Sequence, residues 1–271
     1  EQEQSMAPSW SGLGGFPFIF NIKNVNKFSG TFRNLGLTEC PKIRGSIAWN
    51  DYITFENMMY GNYMTSVDDL FTPEMMEGFS SFKITSSYSG PNLSSFFNHL
   101  RNLTHIPEWW YKFKVNPEST AIPFYIYSPL YGTFEYCEKL SEALNLPVLV
   151  LNSGLGMTDN QFSINTFYNC YSLSRITFET NADGSPIVAQ WKAQTIDLTH
   201  YVGYSGTTTS VGDSVYNHDS AVETINSLPD TSAYLASAGG TNTIKFTGAS
   251  GSRTAGGAIN TLTEEEIAVA T

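Results

Sequence analysis

Charge is scarce in this chain of 271 residues. Only 14% of residues are Asp, Glu, Lys or Arg, against roughly 25% in an ordinary soluble domain. Fourteen bases face 25 acids, the net charge is −11, and nowhere do more than two or three bases gather. A phosphate backbone needs such a cluster, so nucleic acid is not an expected partner. Cysteine is scarce and odd in number, at positions 40, 137 and 170. An odd count leaves at least one thiol free and argues against a disulfide framework. Long apolar runs are missing too. The longest, residues 16–20 and 146–151, fall far short of the roughly 20 that span a bilayer, so no transmembrane helix is expected.

What is present describes a chain that folds. Aromatics reach 14%, with 22 Gly and 12 Pro, whereas disordered chains are poor in aromatics and dense in charge. At 30.0 kDa there is enough chain to bury a core without staples. Abundant Ser, Thr and Asn imply a largely uncharged polar surface. The opening Glu1-Gln2-Glu3, without an initiating Met or an apolar leader, reads as a processed or trimmed chain.

A degenerate internal repeat runs through the first two thirds. Its clearest copy places Phe167, Cys170, Leu173, Ile176 and Phe178 in the pattern F-x-x-C-x-x-L-x-x-I-x-F. A second has Phe134, Cys137 and Leu140; a third has Phe97, Leu100, Leu103 and Ile106, with Leu where the others carry Cys. That exchange marks a buried apolar position. Two weaker copies are placed at Cys40 with Ile43, and at Met64 with Val67, giving anchors at 40, 64, 100, 137 and 170. Such irregular separations suit solenoid coils whose outer loops accept insertions. In each coil a short turn drops the aromatic and Cys positions inward, and the following residues become a strand of period two. One unit cannot cover its own apolar face, so coils stack and their strands form a parallel sheet. The alternative is coincidence among common residues.

Beyond a linker at 207–210, Ser220 and Glu223 form a capping-box pattern opening a helix over 221–228, ended by Pro229. A strand is expected at 243–247, a Gly-rich loop at 248–257, and a second capping box, Thr263 with Glu266, before a last helix.

The three better copies resemble the BspA-like leucine-rich repeat, found on surface proteins of gut and oral bacteria and in phages that infect them. The resemblance covers residues 28–205 and departs through insertions at 71–91 and 110–130 and through lost Cys positions. The segment from His218 to Pro229 and the residues 262–267 resemble a terminal module of structural proteins from gut Bacteroidales phages, including crAss-like ones. The resemblance implies an α/β repeat, a leucine-rich-repeat solenoid with irregular coils and a parallel strand face, closed by a small α+β C-terminal cap. The expected divisions are 1–27 as lead-in, 28–205 as repeats and 206–271 as cap.

A search for chemistry returns little. The cysteines occupy equivalent core positions, and His99, His105, His200 and His218 show no ligand spacing, so no metal or cofactor is expected. The serines at 205 and 250 lack the elbow spacing of a hydrolase. The pair Gly154 and Gly156 lacks the third glycine of a dinucleotide loop. Asp68, Asp69, Glu74 and Glu77 are the candidates for paired carboxylates, and acids on an insertion read more simply as solubilising. What remains is aromatic: Trp109, Trp110, Tyr111, Tyr125 and Tyr127. Neighbours on a strand point to opposite faces, so part of this set is expected outward as anchors for a glycan or protein. The alternative is that the insertion folds back and buries them.

The expectation is a non-catalytic, extracellular recognition or assembly protein, foremost a virion-associated tail or head fibre. Its partners would be a protein or glycan on a cell surface, or other virion proteins. A bacterial surface adhesin is the alternative, and a glycan hydrolase a distant third.

Overall fold

Glycine and asparagine shape the repeating turn. The computed structural model describes residues 19–50, 53–83, 85, 92–112, 116, 118, 132–148, 166–167, 169–191, 195–197, 218–245 and 262–269. In each coil a central inward residue is flanked, two positions before and two after, by residues with positive φ. Gly30 and Asn34 flank Phe32, Asn57 and Gly61 flank Met59, Ser95 and His99 flank Phe97, Gly132 and Tyr136 flank Phe134, and Asn169 follows Phe167. Gly and Asn enter this left-handed region readily, whereas other residues do so at roughly 1–2 kcal/mol.

These reversals flatten the turn into a ribbon whose N–H groups alternate in direction. Thr31 and Arg33 donate within the coil, to the carbonyls of Phe28 and Gly30, both at 3.1 Å. Gly30, Phe32 and Asn34 donate to the next coil, at the carbonyls of Glu56, Met58 and Tyr60. The step then repeats: Asn57, Met59 and Gly61 donate to Ser94, Phe96 and Asn98; Phe97 and His99 to Thr133 and Glu135; Phe134 to Thr166. Five ribbons are thus joined in parallel, each backbone satisfied by its neighbour.

The side chains on this ribbon form columns through the core. Phe32, Met59, Phe97, Phe134 and Phe167 make one column, all buried. The rings of Phe97 and Phe134 stack at 5.4 Å and those of Phe134 and Phe167 at 5.6 Å. Three residues on, Leu35, Asn62, Leu100, Cys137 and Cys170 make the second. Leu103, Leu140 and Leu173, then Ile106, Ala143 and Ile176, continue the last three coils, all buried. Each large apolar side chain so placed contributes about 1.5–3 kcal/mol.

Strands follow the ribbons. β1 (Ile19–Val25) pairs in parallel with β2 (Lys42–Ile47), and β3 (Glu142–Leu146) with β4 (Arg175–Phe178). Single parallel bridges tie Lys27 to Thr54 and Thr54 to Asn92. Gly45 sits at φ 106° against the Ile22 carbonyl, where a Cβ would collide with that oxygen.

The expected register of the first two coils is corrected. Leu35 and Asn62, not Cys40 and Met64, align with Leu100, Cys137 and Cys170, because the ribbon bonds pair Asn34 with Tyr60 and Gly61 with Asn98. Asn62 is fully buried and satisfied on all sides. It accepts from Leu37 N at 3.0 Å and donates to the Phe32 carbonyl at 2.7 Å and the Met59 carbonyl at 2.9 Å. Cys137 and Cys170 play half of this role, their thiols donating to the carbonyls of Phe97 and Phe134 one coil back, at 3.3 and 3.0 Å. Leu100 has no donor to offer Met59, and the second amide hydrogen of Asn62 takes its place.

The insertion after Phe71 contains α1 (Pro73–Ser81). Its Thr72 N-cap accepts from Met75 N, Pro73 occupies the first turn, and Met76 and Phe79 are buried against the stack. Gly78 faces the Trp49 indole so closely that a Cβ would strike the ring.

At the far end, α2 (His218–Asn226) lies along β4. Thr224 donates to the Ile176 carbonyl at 2.6 Å, Ser227 accepts from Phe178 N at 3.0 Å, and Glu223 is paired through both oxygens with Arg175. The edge groups that another coil would use are thus taken by side chains. The expected capping box at Ser220 is corrected: the helix already includes His218, Ser220 lies inside it, and Glu223 is committed to Arg175. The box at Thr263 forms reciprocally at the start of α4 (Glu264–Val269), with Thr263 N on Glu266 Oε2 at 2.7 Å and Glu266 N on Thr263 Oγ1 at 3.2 Å. Between these helices lie α3 (Ser232–Ala238) and β6 (Thr243–Lys245). β6 pairs in parallel with β5 (Thr195–Asp197), so hydrogen bonds cross the division expected between 205 and 206. The linker at 207–210 and the Gly-rich loop at 248–257 lie outside the described residues.

Candidate recognition surface

Trp109 and Trp110 lie on a single 3-10 turn, Glu108–Lys112, and both are buried. The expectation of outward tryptophans on a strand is therefore corrected. With three residues per turn, adjacent side chains diverge by about 120° rather than 180°, and both can enter one core. Trp109 leans toward the second coil, edge-on to Phe71 at 5.1 Å, with its Nε1 donating to the Val67 carbonyl at 3.0 Å. Trp110 packs against Phe97 at 5.3 Å and Phe134 at 5.5 Å. Tyr111 is partly buried, and burial pushes its hydroxyl up to about 12. Tyr125 and Tyr127 lie outside the described residues.

The four acids do not converge as a catalytic pair. Asp68 accepts from Ser66 at 2.6 Å and meets His105 Nε2 at 2.7 Å. Asp69 pairs with Lys42 at 2.6 Å, Glu77 with Lys112 at 3.5 Å, and Glu74 sits in the first turn of α1. Ser66 bonds the carboxylate and not the imidazole, so the trio lacks the base-to-nucleophile contact of a hydrolase. The Cys137 and Cys170 thiols are pushed up by burial and held protonated. Among the described residues, no group of three or more His, Cys, Asp or Glu could hold a metal. Nor is any helix among them long and apolar enough to cross a membrane.

The ribbon's outer side is where unlike residues meet in order. Tyr60, His99 and Tyr136 come from three successive coils. Their ring centroids lie 4.9 Å apart for Tyr60 and His99, and 4.2 Å for His99 and Tyr136. Arg33, from the coil before, covers the Tyr60 ring at 5.1 Å, and Arg101 approaches Tyr136 at 6.0 Å. One residue along from Arg101's column, Asn102 donates to the Tyr63 carbonyl at 3.0 Å, tying Tyr63 to the third coil. Tyr63 itself is 54% exposed.

A hydrogen-bonded chain runs beneath the rings. His99 Nδ1 is held close against Asn98 Oδ1, and Asn98 Nδ2 donates to Glu135 Oε2 at 2.7 Å. Burial, then the neighbouring Arg101, lowers the His99 pKa and favours the neutral imidazole. With Nδ1–H committed to Asn98, Nε2 is left as an acceptor. Burial raises the Glu135 pKa, and the Asn98 bond opposes that rise. Backbone strain marks the same place. His99 and Tyr136 hold left-handed positions that Asn34, Gly61 and Asn169 fill in other coils, and such strain gathers where a surface has a task. The sequence carried one signal for this site: Gly or Asn beside four of the five inward residues, Phe32, Met59, Phe134 and Phe167, which helps to fix which residues share an outer column.

Comparison with models of known protein families, with curated proteins and with solved structures finds no match.

Proposed function

We propose that this chain is a non-catalytic recognition or assembly protein of the BspA-like leucine-rich-repeat class, displayed outside the cell as a virion-associated fibre or receptor-binding component. The observation that carries the reading is the division of labour in the ribbon. Its inward columns are filled, apart from Asn62, by apolar side chains from five stacked coils, while its outer columns carry tyrosine, histidine, arginine and glutamate. A stack of this kind holds a rigid outer face whose residues can change without disturbing the core. That Asp68, Asp69 and Glu77 each meet a different partner, His105, Lys42 and Lys112, supports the non-catalytic reading. The capping of β4 by Thr224 and Ser227 supports the reading of the C-terminal elements as an end piece that stops further stacking. Mass spectrometry of purified particles from phage-producing Bacteroidales cultures tests it: the chain should copurify with capsid and tail proteins. Absence from particles, with recovery from the bacterial outer membrane, would favour the surface-adhesin alternative.

A further inference from the structure

We propose that the outer face of the ribbon, formed by Tyr60, Tyr63, His99 and Glu135 across three successive coils, binds a linear, uncharged polysaccharide. The inference rests on the recognition reading above and names the surface and the ligand class.

The chemistry of the outward atoms selects the ligand. Among the described residues, the Tyr60 hydroxyl, His99 Nε2 and Glu135 Oε1 have no protein partner, although each side chain is fixed by stacking or by the Asn98 bridge. A row made mainly of fixed acceptors calls for a ligand rich in hydroxyl donors. An ionised phosphate or sulfate group offers mainly acceptors and negative charge, and a uronic-acid polymer would bring its carboxylates beside Glu135 in a chain of net charge −11. Arg101 adds no free cation, being paired with Glu138 at 3.1 Å, and Arg33, the one cation without an ion pair beside the row among the described residues, lies over the Tyr60 ring at one end of it. The rings of the ladder cover one another, so a sugar cannot stack on their inner faces. Tyr63 supplies the open face instead, since no aromatic or cationic partner among the described residues covers it and more than half of it is exposed.

Geometry selects a linear ligand over a compact one. Each of three successive coils offers one acceptor atom, on Tyr60, His99 and Glu135, so an extended chain of sugars can meet one from each coil. A protein partner would call for a buried apolar centre, and among the described residues the exposed large apolar side chains are Ile19, Phe20, Tyr63 and Val188, of which only Tyr63 lies in the coils that carry Tyr60, His99 and Glu135.

The full chain would be tested by biolayer interferometry against immobilised laminarin, mannan and linear galactan, with polygalacturonate as the acidic counterpart, and by flow cytometry on intact Bacteroidales cells. Wild type should bind at least one neutral polymer, and that polymer in solution should compete for the cells. Tyr63→Ala should weaken binding about tenfold, the loss of one stacking face. Tyr60→Phe and Glu135→Gln, which keep shape and fold, should each weaken it about three- to tenfold. Tyr234→Ala on α3 should leave it unchanged. Neutral-polymer binding that survives all three substitutions overturns the surface assignment. Binding only to polygalacturonate, or cell binding that no neutral polymer competes, overturns the ligand class while leaving recognition standing. Binding to neither cells nor polymers overturns both readings together.

Discussion

The first two coils and the last three build the same ribbon from different letters. In the last three, Phe97, Phe134 and Phe167 stack, and Leu or Cys follows three residues later. In the first two, Phe32 and Met59 stand in the aromatic column, and the next position holds a half-buried Leu35 and then a wholly buried amide, Asn62. What both regions share is the backbone: paired left-handed residues and N–H groups alternating between coils. The fold is therefore specified less by a side-chain motif than by where the chain can reverse and which buried carbonyls find a donor. The later coils meet that demand with packing and thiols, the earlier ones with one saturated amide.

The largest test of this contrast puts a charge into the later columns. Leu173→Asp or Phe167→Asp places a carboxylate where the native side chain is 0% or 3% exposed. With no partner for it, the cooperative thermal transition by circular dichroism should be lost at neutral pH. Trp110→Ala comes next. It removes a ring packed against both Phe97 and Phe134 and should cost about 3–5 kcal/mol in a urea titration. A Trp110→Ala protein of native stability would show that the later coils do not rely on aromatic packing between them.

Asn62→Leu asks the matching question of the earlier coils. It restores the apolar letter found at position 100 but strands Leu37 N–H and the carbonyls of Phe32 and Met59. At about 1–3 kcal/mol for each buried group left unpaired, the loss should clearly exceed that of Cys137→Ala, after which the Phe97 carbonyl still accepts from Leu100 N at 3.0 Å. Equal losses would erase the distinction drawn between the two regions.

These differences explain what could be read in advance. The last three coils were legible because their inward letters repeat, and Phe97, Phe134 and Phe167 fell in the right register. The first two were misregistered because Cys40 and Met64 look like anchors while Asn62, the true one, is polar. A buried amide becomes intelligible only once its three partners are known. The tryptophans misled for a different reason: period-two reasoning assumes a strand, and residues 108–112 form a 3-10 turn. The helix of the first insertion, α1, carries a start signal in Thr72 and Pro73 and a buried face in Met76 and Phe79. The outer ladder was hidden because its members share no residue type, and only the positive-φ positions align them.

A smaller effect probes the ribbon's strain. Ser95 occupies a left-handed position that Gly30 and Gly132 hold in other coils. Ser95→Gly should stabilise by up to about 1 kcal/mol, raising the melting temperature by roughly 2–4 °C for a chain of this size. A fall instead would mean that the serine side chain matters more to its coil than the backbone reversal.

The smallest effect belongs to the side-chain contact between α2 and α4, which is electrostatic and partly exposed. His218 on α2 lies 3.2 Å from Glu266 on α4 and 3.2 Å from Asp219. Hydrogen bonds to Asp219 and then Glu266 raise its pKa above 6.5 in the folded chain. A raised histidine pKa stabilises the folded form fully below the unfolded value and loses that contribution as pH climbs through the folded one. The hold of α2 on α4 should therefore weaken from about pH 6.5 upward, while Asn62 and the cysteine columns, which carry no titrating charge in that range, stay unaffected. Amide exchange should quicken in α4 between pH 6 and 8 beyond the intrinsic base-catalysed rise, and His218→Gln should remove that excess. Matching excess in the ribbon amides of Phe97 and Phe134 would show that the two regions open together, and the contrast between packed and charge-held parts would fail.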